Sequence, residues 1–246
     1  IQSQATILAG LHHPNLPRVT DSFRLPSGGQ ILVMDFIPGE DLKSRVDRIG
    51  PLSVKEALEI TLATGSALHY LHNQDPSIIH QDVKPGNIRI TPSGQIMLVD
   101  FDLITVLDTT ENGKTEREFG LTPGFAAPEQ YNNMAETQSD QYSLAATLYF
   151  ILTGVRLPDG LTRAAGNAKL PIQNITHTHI PVDIYTSLEK ALSVNPSDRY
   201  PNIQSFMGSL LSIMKTLPNL SKQTTRRKRN FVSRKKLFGQ GKRAPR

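Results

Sequence analysis

The sequence predicts an α+β protein with a short β-hairpin near its start and a mostly helical remainder. The turn Pro26-Ser27-Gly28-Gly29 joins two predicted strands, because its glycines can adopt the backbone conformations that a tight turn requires. An amphipathic pattern covers residues 53–73, and helical patterns cover most of the chain from residue 138 onward. We therefore expect a small strand-bearing part and a larger helical part.

The front of the chain supplies one helix before the hairpin. Residues 1–11 place four apolar side chains at helical spacing, namely Ile1, Ala5, Leu8 and Leu11. The helix ends at His12-His13-Pro14-Asn15. The hairpin strands follow near residues 18–25 and 30–36.

The long helix over residues 53–73 begins at Ser53, and Glu56 three residues later completes the pattern of a capping box. Short strands over residues 88–91 and 96–99 then flank the turn Pro92-Ser93-Gly94. Further helices are predicted over 138–153, which Gly154 ends, over 182–193 and over 201–217. The strand pair brings residues 87 and 100 to the same end.

Composition narrows the class of protein. A length of 246 residues with 38% hydrophobic residues is enough for one large domain with a buried core. The chain has no cysteine, which excludes disulfides, thiolate zinc sites and thiol catalysis. No stretch approaches the roughly 20 apolar residues that span a bilayer, and the start carries no signal-peptide pattern. We expect a soluble chain in the cytoplasm.

Charge is distributed unevenly along the chain. Residues 1–221 hold 16 Lys and Arg against 22 Asp and Glu, a formal charge of −6, whereas residues 222–246 hold 11 basic residues and no acidic one. The acidic part is the expected folded domain, and the basic end is an expected disordered tail. The tail is a solvated linker, a segment that lies against an anionic membrane surface, or a nucleic-acid-binding segment, of which the last is unlikely because no base-reading fold accompanies it.

One short stretch of the sequence contains residue types suited to catalysis. The chain reads His80-Gln81-Asp82-Val83-Lys84-Pro85-Gly86-Asn87, and Asp100 follows Asn87 by 13 residues. Phosphoryl transfer needs a carboxylate at the attacking hydroxyl, an ammonium at the moving phosphate and oxygen ligands for Mg²⁺. Asp82, Lys84, Asn87 and Asp100 are the residue types for these tasks.

This block, Asp100-Phe101-Asp102 and Ala127-Pro128-Glu129 together resemble the protein kinase family. The sequence around Pro128-Glu129-Gln130-Tyr131 and the stretch 140–149 are similar to the bacterial serine/threonine kinases in particular. A fourth block, residues 195–200, is similar to the family segment whose arginine pairs with the glutamate of Ala-Pro-Glu. The resemblance covers about residues 1–217 and implies that Arg199 binds Glu129.

The resemblance implies a role for each matched residue. Asp82 would orient the hydroxyl of a protein substrate and accept its proton, and Lys84 would neutralise charge on the γ-phosphoryl group of ATP. Thr122 would hydrogen-bond both residues. Asn87 and Asp100 would hold Mg²⁺ through oxygen. Two neighbours have structural expectations: Phe101 packs in the core, and Asp140 braces the catalytic loop.

The resemblance to protein kinases also implies a nucleotide-binding site. Met34 falls at the gatekeeper position, and Asp35 to Ile37 form the hinge whose backbone would pair with adenine. Arg89 stands where the family has an apolar floor beneath adenine. A guanidinium plane can stack on a base, so we retain Arg89 in the predicted adenine site.

Several departures from the family pattern affect activity. The 246 residues contain no Gly-x-Gly-x-x-Gly, no lysine before Lys43 and no acidic residue before Asp21, and the family's helix glutamate falls on Gln4. Gln81 replaces an arginine that pairs with a phosphorylated activation segment, and Asp102 replaces a glycine. We interpret the chain as a fragment that lacks the front of the small lobe, or as a chain that never had it.

The predicted organisation is a partial kinase small lobe over 1–37, a large lobe over 38–217 and the basic tail over 218–246. The predicted function is an ATP- and Mg²⁺-dependent serine/threonine protein kinase, with the fragment itself inactive. The alternative is a pseudokinase that acts as a scaffold or allosteric regulator. Membrane association through the tail, or through sequence beyond it, is an open alternative to a purely cytoplasmic location.

Overall fold

The computed structural model of the protein describes residues 4–24, 30–101, 105–106, 120–166 and 180–217. In chain order its helices and strands are α1 (Gln4–Ala9), β1 (Val19–Arg24), β2 (Gln30–Met34), β3 (Glu40–Asp41), α2 (Leu42–Ile49), α3 (Val54–His72), β4 (Ile78–Ile79), β5 (Ile88–Ile90), β6 (Ile96–Leu98), β7 (Thr105–Val106), α4 (Thr137–Thr153), α5 (Gly160–Ala164), α6 (Val182–Ala191) and α7 (Ile203–Thr216). The predicted α+β class is confirmed.

All strand pairs of the described residues are antiparallel. β1 and β2 form the predicted hairpin, in which Val19 pairs with Met34. β5 lies between β3 and β6, and β4 pairs with β7. The β5–β6 pair matches Ile88 with Leu98, so the residue before β5 and the residues after β6 lie at one end of the pair, as predicted.

The core is built around α3 and α4. Residues 139–152 of α4 are all buried, which is typical of a helix enclosed on every side. At Gly65 of α3, an added Cβ would lie 2.5 Å from Sδ of Met207, so glycine allows α3 and α7 to approach closely. The apolar core therefore supports the strands and loops that carry the predicted site.

The predicted capping box at α3 is only half formed. The Ser53 hydroxyl accepts from the Glu56 N–H at 3.2 Å, as expected for an N-cap. The Glu56 carboxylate instead accepts from Nη2 of Arg45 in α2 at 2.6 Å. A charged guanidinium is a stronger donor than a backbone N–H, which explains why Glu56 does not complete the box.

Three sequence-based expectations fall outside the described residues. They are the hairpin turn over residues 26–29, Asp102 in place of a glycine, and the tail 218–246. Among the described helices, none is long and apolar enough to cross a membrane.

Candidate active site

The loop between β4 and β5 carries most of the predicted site. The Asp140 carboxylate of α4 accepts from the backbone N–H groups of His80 at 2.8 Å and Gln81 at 2.7 Å. The ring of His72 lies 2.8 Å from the same carboxylate. Asp140 is fully buried, so the expectation that it braces this loop is confirmed.

Asp82 lies at the centre of a side-chain cluster. Its Oδ2 accepts from Nζ of Lys84 at 2.6 Å and from Nδ2 of Asn87 at 2.9 Å. Its Oδ1 accepts from the Thr122 hydroxyl at 3.1 Å, and Lys84 also donates to Thr122 at 3.2 Å. The structure thus brings together the three predicted catalytic residues and one predicted metal ligand. The carboxylate is 11% exposed and therefore reachable from solvent.

Asn87 and Asp100, the two predicted metal ligands, lie at the same end of the β5–β6 pair. Asn87 precedes β5 and Asp100 follows β6, and the Val99 N–H donates to the Asn87 carbonyl at 2.8 Å. The Asn87 amide nitrogen is used by Asp82, which makes its Oδ1 the atom suited to a cation. Two protein oxygens fit Mg²⁺, which usually keeps waters and substrate phosphates among its ligands. Among the described residues, no group of three or more His, Asp or Glu side chains forms a metal site.

The predicted adenine site is less complete. Met34 is half-buried against the core, and the Asp35 N–H donates to the Arg18 carbonyl at 2.9 Å. Of the other predicted hinge residues, Phe36 is exposed and Ile37 is half-buried. Arg89 donates through Nη2 to the Gly39 carbonyl, directly after the hinge. Its guanidinium is thereby tethered to the segment that follows the hinge.

The Ala-Pro-Glu block is fixed by a buried ion pair. Arg199 donates to Glu129 through Nη1 at 2.7 Å and Nη2 at 2.8 Å, which confirms the predicted contact. Burial alone would raise the pKa of Glu129, but the hydrogen bonds from Arg199 and Ser139 outweigh it and lower the pKa. The carboxylate therefore stays charged and holds residues 127–132 against α4.

Phe101 packs in the core, as expected. It is 3% exposed, and its ring meets that of His80 edge-on with centroids 6.0 Å apart. Burial lowers the pKa of His80, so its ring is neutral at physiological pH. The Nδ1 of His80 accepts from the Asp82 N–H at 3.4 Å, which links this core contact to the catalytic loop.

Sequence reasoning missed two residues that support the site. The Gln130 side chain donates to the Gln81 carbonyl at 2.8 Å, across 49 positions of sequence. His72 reaches Asp140 across 68 positions. Their residue types alone gave no signal, because both contacts depend on how distant segments pack.

Comparison with known proteins identifies the class that this fold and site define. The family model described as "Protein kinase domain" matches residues 1–219. The chain therefore belongs to the protein kinase family. Members of this family use ATP and Mg²⁺.

The relatives narrow the class to serine/threonine kinases of bacterial type. The chain is 33% identical over 220 residues to serine/threonine-protein kinase PknA of Mycobacterium tuberculosis (strain H37Rv), covering 86% of this chain and 50% of that protein. It is 31% identical to serine/threonine-protein kinase PknB of Mycobacterium leprae, covering 85% and 35%. It is 30% identical to a probable serine/threonine-protein kinase PknB of Lactococcus lactis, covering 84% and 33%. The chain thus spans about half or less of the length of these relatives.

Proposed function

We propose that this chain carries the phosphoryl-transfer centre of a serine/threonine protein kinase that acts on serine and threonine hydroxyl groups of proteins, with ATP as donor and Mg²⁺ as cofactor. The observation that carries the proposal is the Asp82 carboxylate, held at once by Lys84, Asn87 and Thr122. Three donors on one partly exposed carboxylate fix its direction before a substrate arrives, which is how a positioned base gains efficiency.

Each residue of the cluster has a task in this reaction. Asp82 accepts a hydrogen bond from the substrate hydroxyl and takes its proton as the oxygen bonds to the γ-phosphorus of ATP. The bond from that phosphorus to the bridging oxygen breaks at the same time, and ADP leaves. Lys84 places a positive charge where negative charge develops on the transferred group. Thr122 keeps both side chains in register. Asn87 and Asp100 would hold Mg²⁺, which neutralises phosphate charge when bound.

We further propose that the 246-residue chain by itself is inactive in phosphate transfer. Its sequence contains neither a glycine-rich loop nor a lysine before Lys43. In kinases these parts cover the phosphates and hold them for transfer. Without them, the cluster around Asp82 has a positioned base but a poorly held donor.

A pseudokinase is the second candidate, and the Arg89 contact favours it. The guanidinium of Arg89 is tethered to the Gly39 carbonyl at the predicted floor of the adenine site. If this contact closes the pocket, Mg²⁺ and ATP will not raise the thermal unfolding midpoint of the full-length protein, and Arg89→Met will restore the rise. A midpoint that rises in the unaltered protein argues for the kinase.

The proposal is tested by transfer of labelled γ-phosphate in the full-length protein. Asp82→Asn removes the base and leaves the shape of the side chain nearly unchanged, so transfer should fall at least roughly a hundredfold. Asp47→Asn is a matched control, because Asp47 is 57% exposed and forms an ion pair with the exposed Lys43 of the same helix. Transfer that survives in Asp82→Asn would contradict the assignment of the base. No transfer in either form, from folded protein, would favour the pseudokinase.

We also propose that the basic tail binds an anionic membrane surface on the cytoplasmic side. Its 11 basic residues without an acidic one can each contribute about 1 kcal/mol near such a surface. The tail should sediment with phosphatidylserine vesicles at low salt and be released at high salt. Preferential binding to RNA over vesicles would instead support a nucleic-acid role.

A further inference from the structure

The peptide between His80 and Asp82 is held in an uncommon conformation. Gln81 has a φ of +67°, in the left-handed region that residues with a Cβ seldom occupy. Such a conformation persists only where the surroundings fix it. Because Asp82 follows directly, the direction of its side chain depends on this residue remaining in place.

Two side chains hold Gln81 from opposite sides. Its N–H donates to Oδ1 of Asp140 at 2.7 Å. Its carbonyl accepts from Nε2 of Gln130 at 2.8 Å. Asp140 belongs to α4, whereas Gln130 follows directly after Ala-Pro-Glu, so the two restraints come from different segments.

Gln130 is itself rigidly placed. It is 4% exposed, and its Oε1 accepts from the Ala127 N–H at 2.8 Å. With one amide oxygen and one amide nitrogen both used, the side chain has a single orientation that satisfies both partners. Gln130 therefore links the fold of residues 127–130 directly to the backbone before Asp82.

We propose that Gln130 is a positioning residue that couples the segment 122–130 to the orientation of Asp82. The segment contacts the catalytic loop at two points. Thr122 holds the Asp82 carboxylate, and Gln130 holds the peptide that precedes it. Rearrangement of this segment would release both restraints together, so the geometry of the base follows the state of the segment. This inference rests on the proposed function, in which Asp82 acts as the base.

Gln130→Glu removes one of the two hydrogen bonds of this side chain and keeps the other. A glutamate retains an oxygen for the Ala127 N–H but replaces the donor to the Gln81 carbonyl with a second acceptor. Gln141 offers a matched control in α4, because it is fully buried, donates to the Tyr200 carbonyl at 3.0 Å and accepts from the Tyr200 N–H at 3.1 Å. Gln141→Glu therefore removes the same kind of bond at a side chain whose two hydrogen bonds are to the backbone of Tyr200.

The first measurement is hydrogen–deuterium exchange over residues 78–87 in the full-length protein, together with the thermal unfolding midpoint. Gln130→Glu should speed exchange in this segment by roughly tenfold, the factor expected for loss of one buried hydrogen bond. Gln141→Glu should lower the unfolding midpoint comparably and leave exchange over residues 78–87 unchanged. Equal exchange effects of the two variants, or no effect of either, would overturn the proposal.

The second measurement separates positioning from a general structural role. In phosphate transfer, Gln130→Glu should lower kcat roughly tenfold with less than a twofold change in KM for ATP, whereas Gln141→Glu should leave both unchanged. A faster exchange with unaltered kcat would overturn the positioning role. Hydrogen–deuterium exchange does not require catalysis. It therefore tests whether Gln130 restrains the loop even if the unaltered protein transfers no phosphate and the proposed function fails.

Discussion

Removal of Arg199 tests how much of the stability of the fold depends on the buried ion pair. The Arg199 side chain is 0% exposed and that of Glu129 is 8% exposed. Loss of one partner from such a pair leaves a charge in the interior and costs about 3–5 kcal/mol. Since a whole domain has about 5–15 kcal/mol of stability, Arg199→Met should remove a large part of it. The free energy of unfolding is measured with urea and circular dichroism.

Glu129→Gln should cost less than Arg199→Met. It leaves the guanidinium with three carbonyl partners, those of Gln138 at 2.9 Å, Ser193 at 2.8 Å and Val194 at 3.1 Å. We expect about 1.5–3 kcal/mol, the range for charge-assisted hydrogen bonds. The double variant should cost less than the sum of the two single variants, because no charge is then left unpaired.

The pH dependence of these losses has a definite sign. In the unaltered protein the pKa of Glu129 lies below its ordinary 4.5, so the stabilisation from this carboxylate is complete above pH 4.5 and is lost as the pH falls through the folded-state pKa. In Arg199→Met, burial should raise that pKa above 4.5, so the penalty of the variant grows as the pH rises. The cost of Arg199→Met should therefore be smaller at pH 5 than at pH 7.5.

Exposure, not distance, is the deciding quantity in this comparison. The surface pair Lys43–Asp47 is as short, at 2.6 Å, but its side chains are 53% and 57% exposed. Lys43→Met should cost less than about 1 kcal/mol. A cost of Arg199→Met that equals that of Lys43→Met would refute the reasoning.

Three further predictions concern Gly39, His80 and Thr122. Gly39→Ala should destabilise by at least about 2 kcal/mol more than Gly94→Ala in urea unfolding, because both have positive φ but only at Gly39 would a Cβ lie 2.0 Å from a backbone oxygen, that of Ile90. The free energy of unfolding should fall less between pH 7.5 and pH 5.5 in His80→Asn than in the unaltered protein. Below pH 6.5 the His80 ring takes up a proton in the unfolded chain, whereas burial lowers its pKa in the folded protein and keeps it neutral. Thr122→Val should lower kcat roughly tenfold with little change in the unfolding midpoint, since it removes the hydroxyl between Asp82 and Lys84.

The sequence predicted those parts of the site that lie close together along the chain. Asp82, Lys84 and Asn87 fall within six residues, so the loop that carries them needs little long-range information to be recognised. Thr122 and Arg199 were located only through their resemblance to family blocks. The adenine site was predicted less completely, because Arg89 departs from the family pattern and its contact with Gly39 follows from the pairing of β3 with β5.

The helices and strands that were not predicted from the sequence have weak local sequence patterns. The strands β3, β4 and β7 have two residues each, too few for an alternation of polar and apolar side chains. α5 has five residues, and its N-cap Asp159 follows a proline in a stretch that reads as a loop. α2 is longer, but charged residues interrupt its apolar positions, and its N-terminus depends on the cap from Asp41. The short strands are sustained by pairing with distant strands, and α2 is held by its buried residues Leu42 and Val46, so local propensity alone does not mark these elements.

The replacement of arginine by Gln81 bears on regulation more than on the fold of the catalytic loop. The backbone of residue 81 is held through its N–H by Asp140 and through its carbonyl by Gln130, and neither contact uses the side chain. A change of side chain at this position therefore leaves the two restraints in place. The substitution takes away a cation suited to a phosphorylated partner, and the two backbone restraints before Asp82 do not depend on that cation. The hydrogen bond from Gln130 to the Gln81 carbonyl, as proposed above, lets the segment 122–130 influence the orientation of Asp82 without an arginine at position 81.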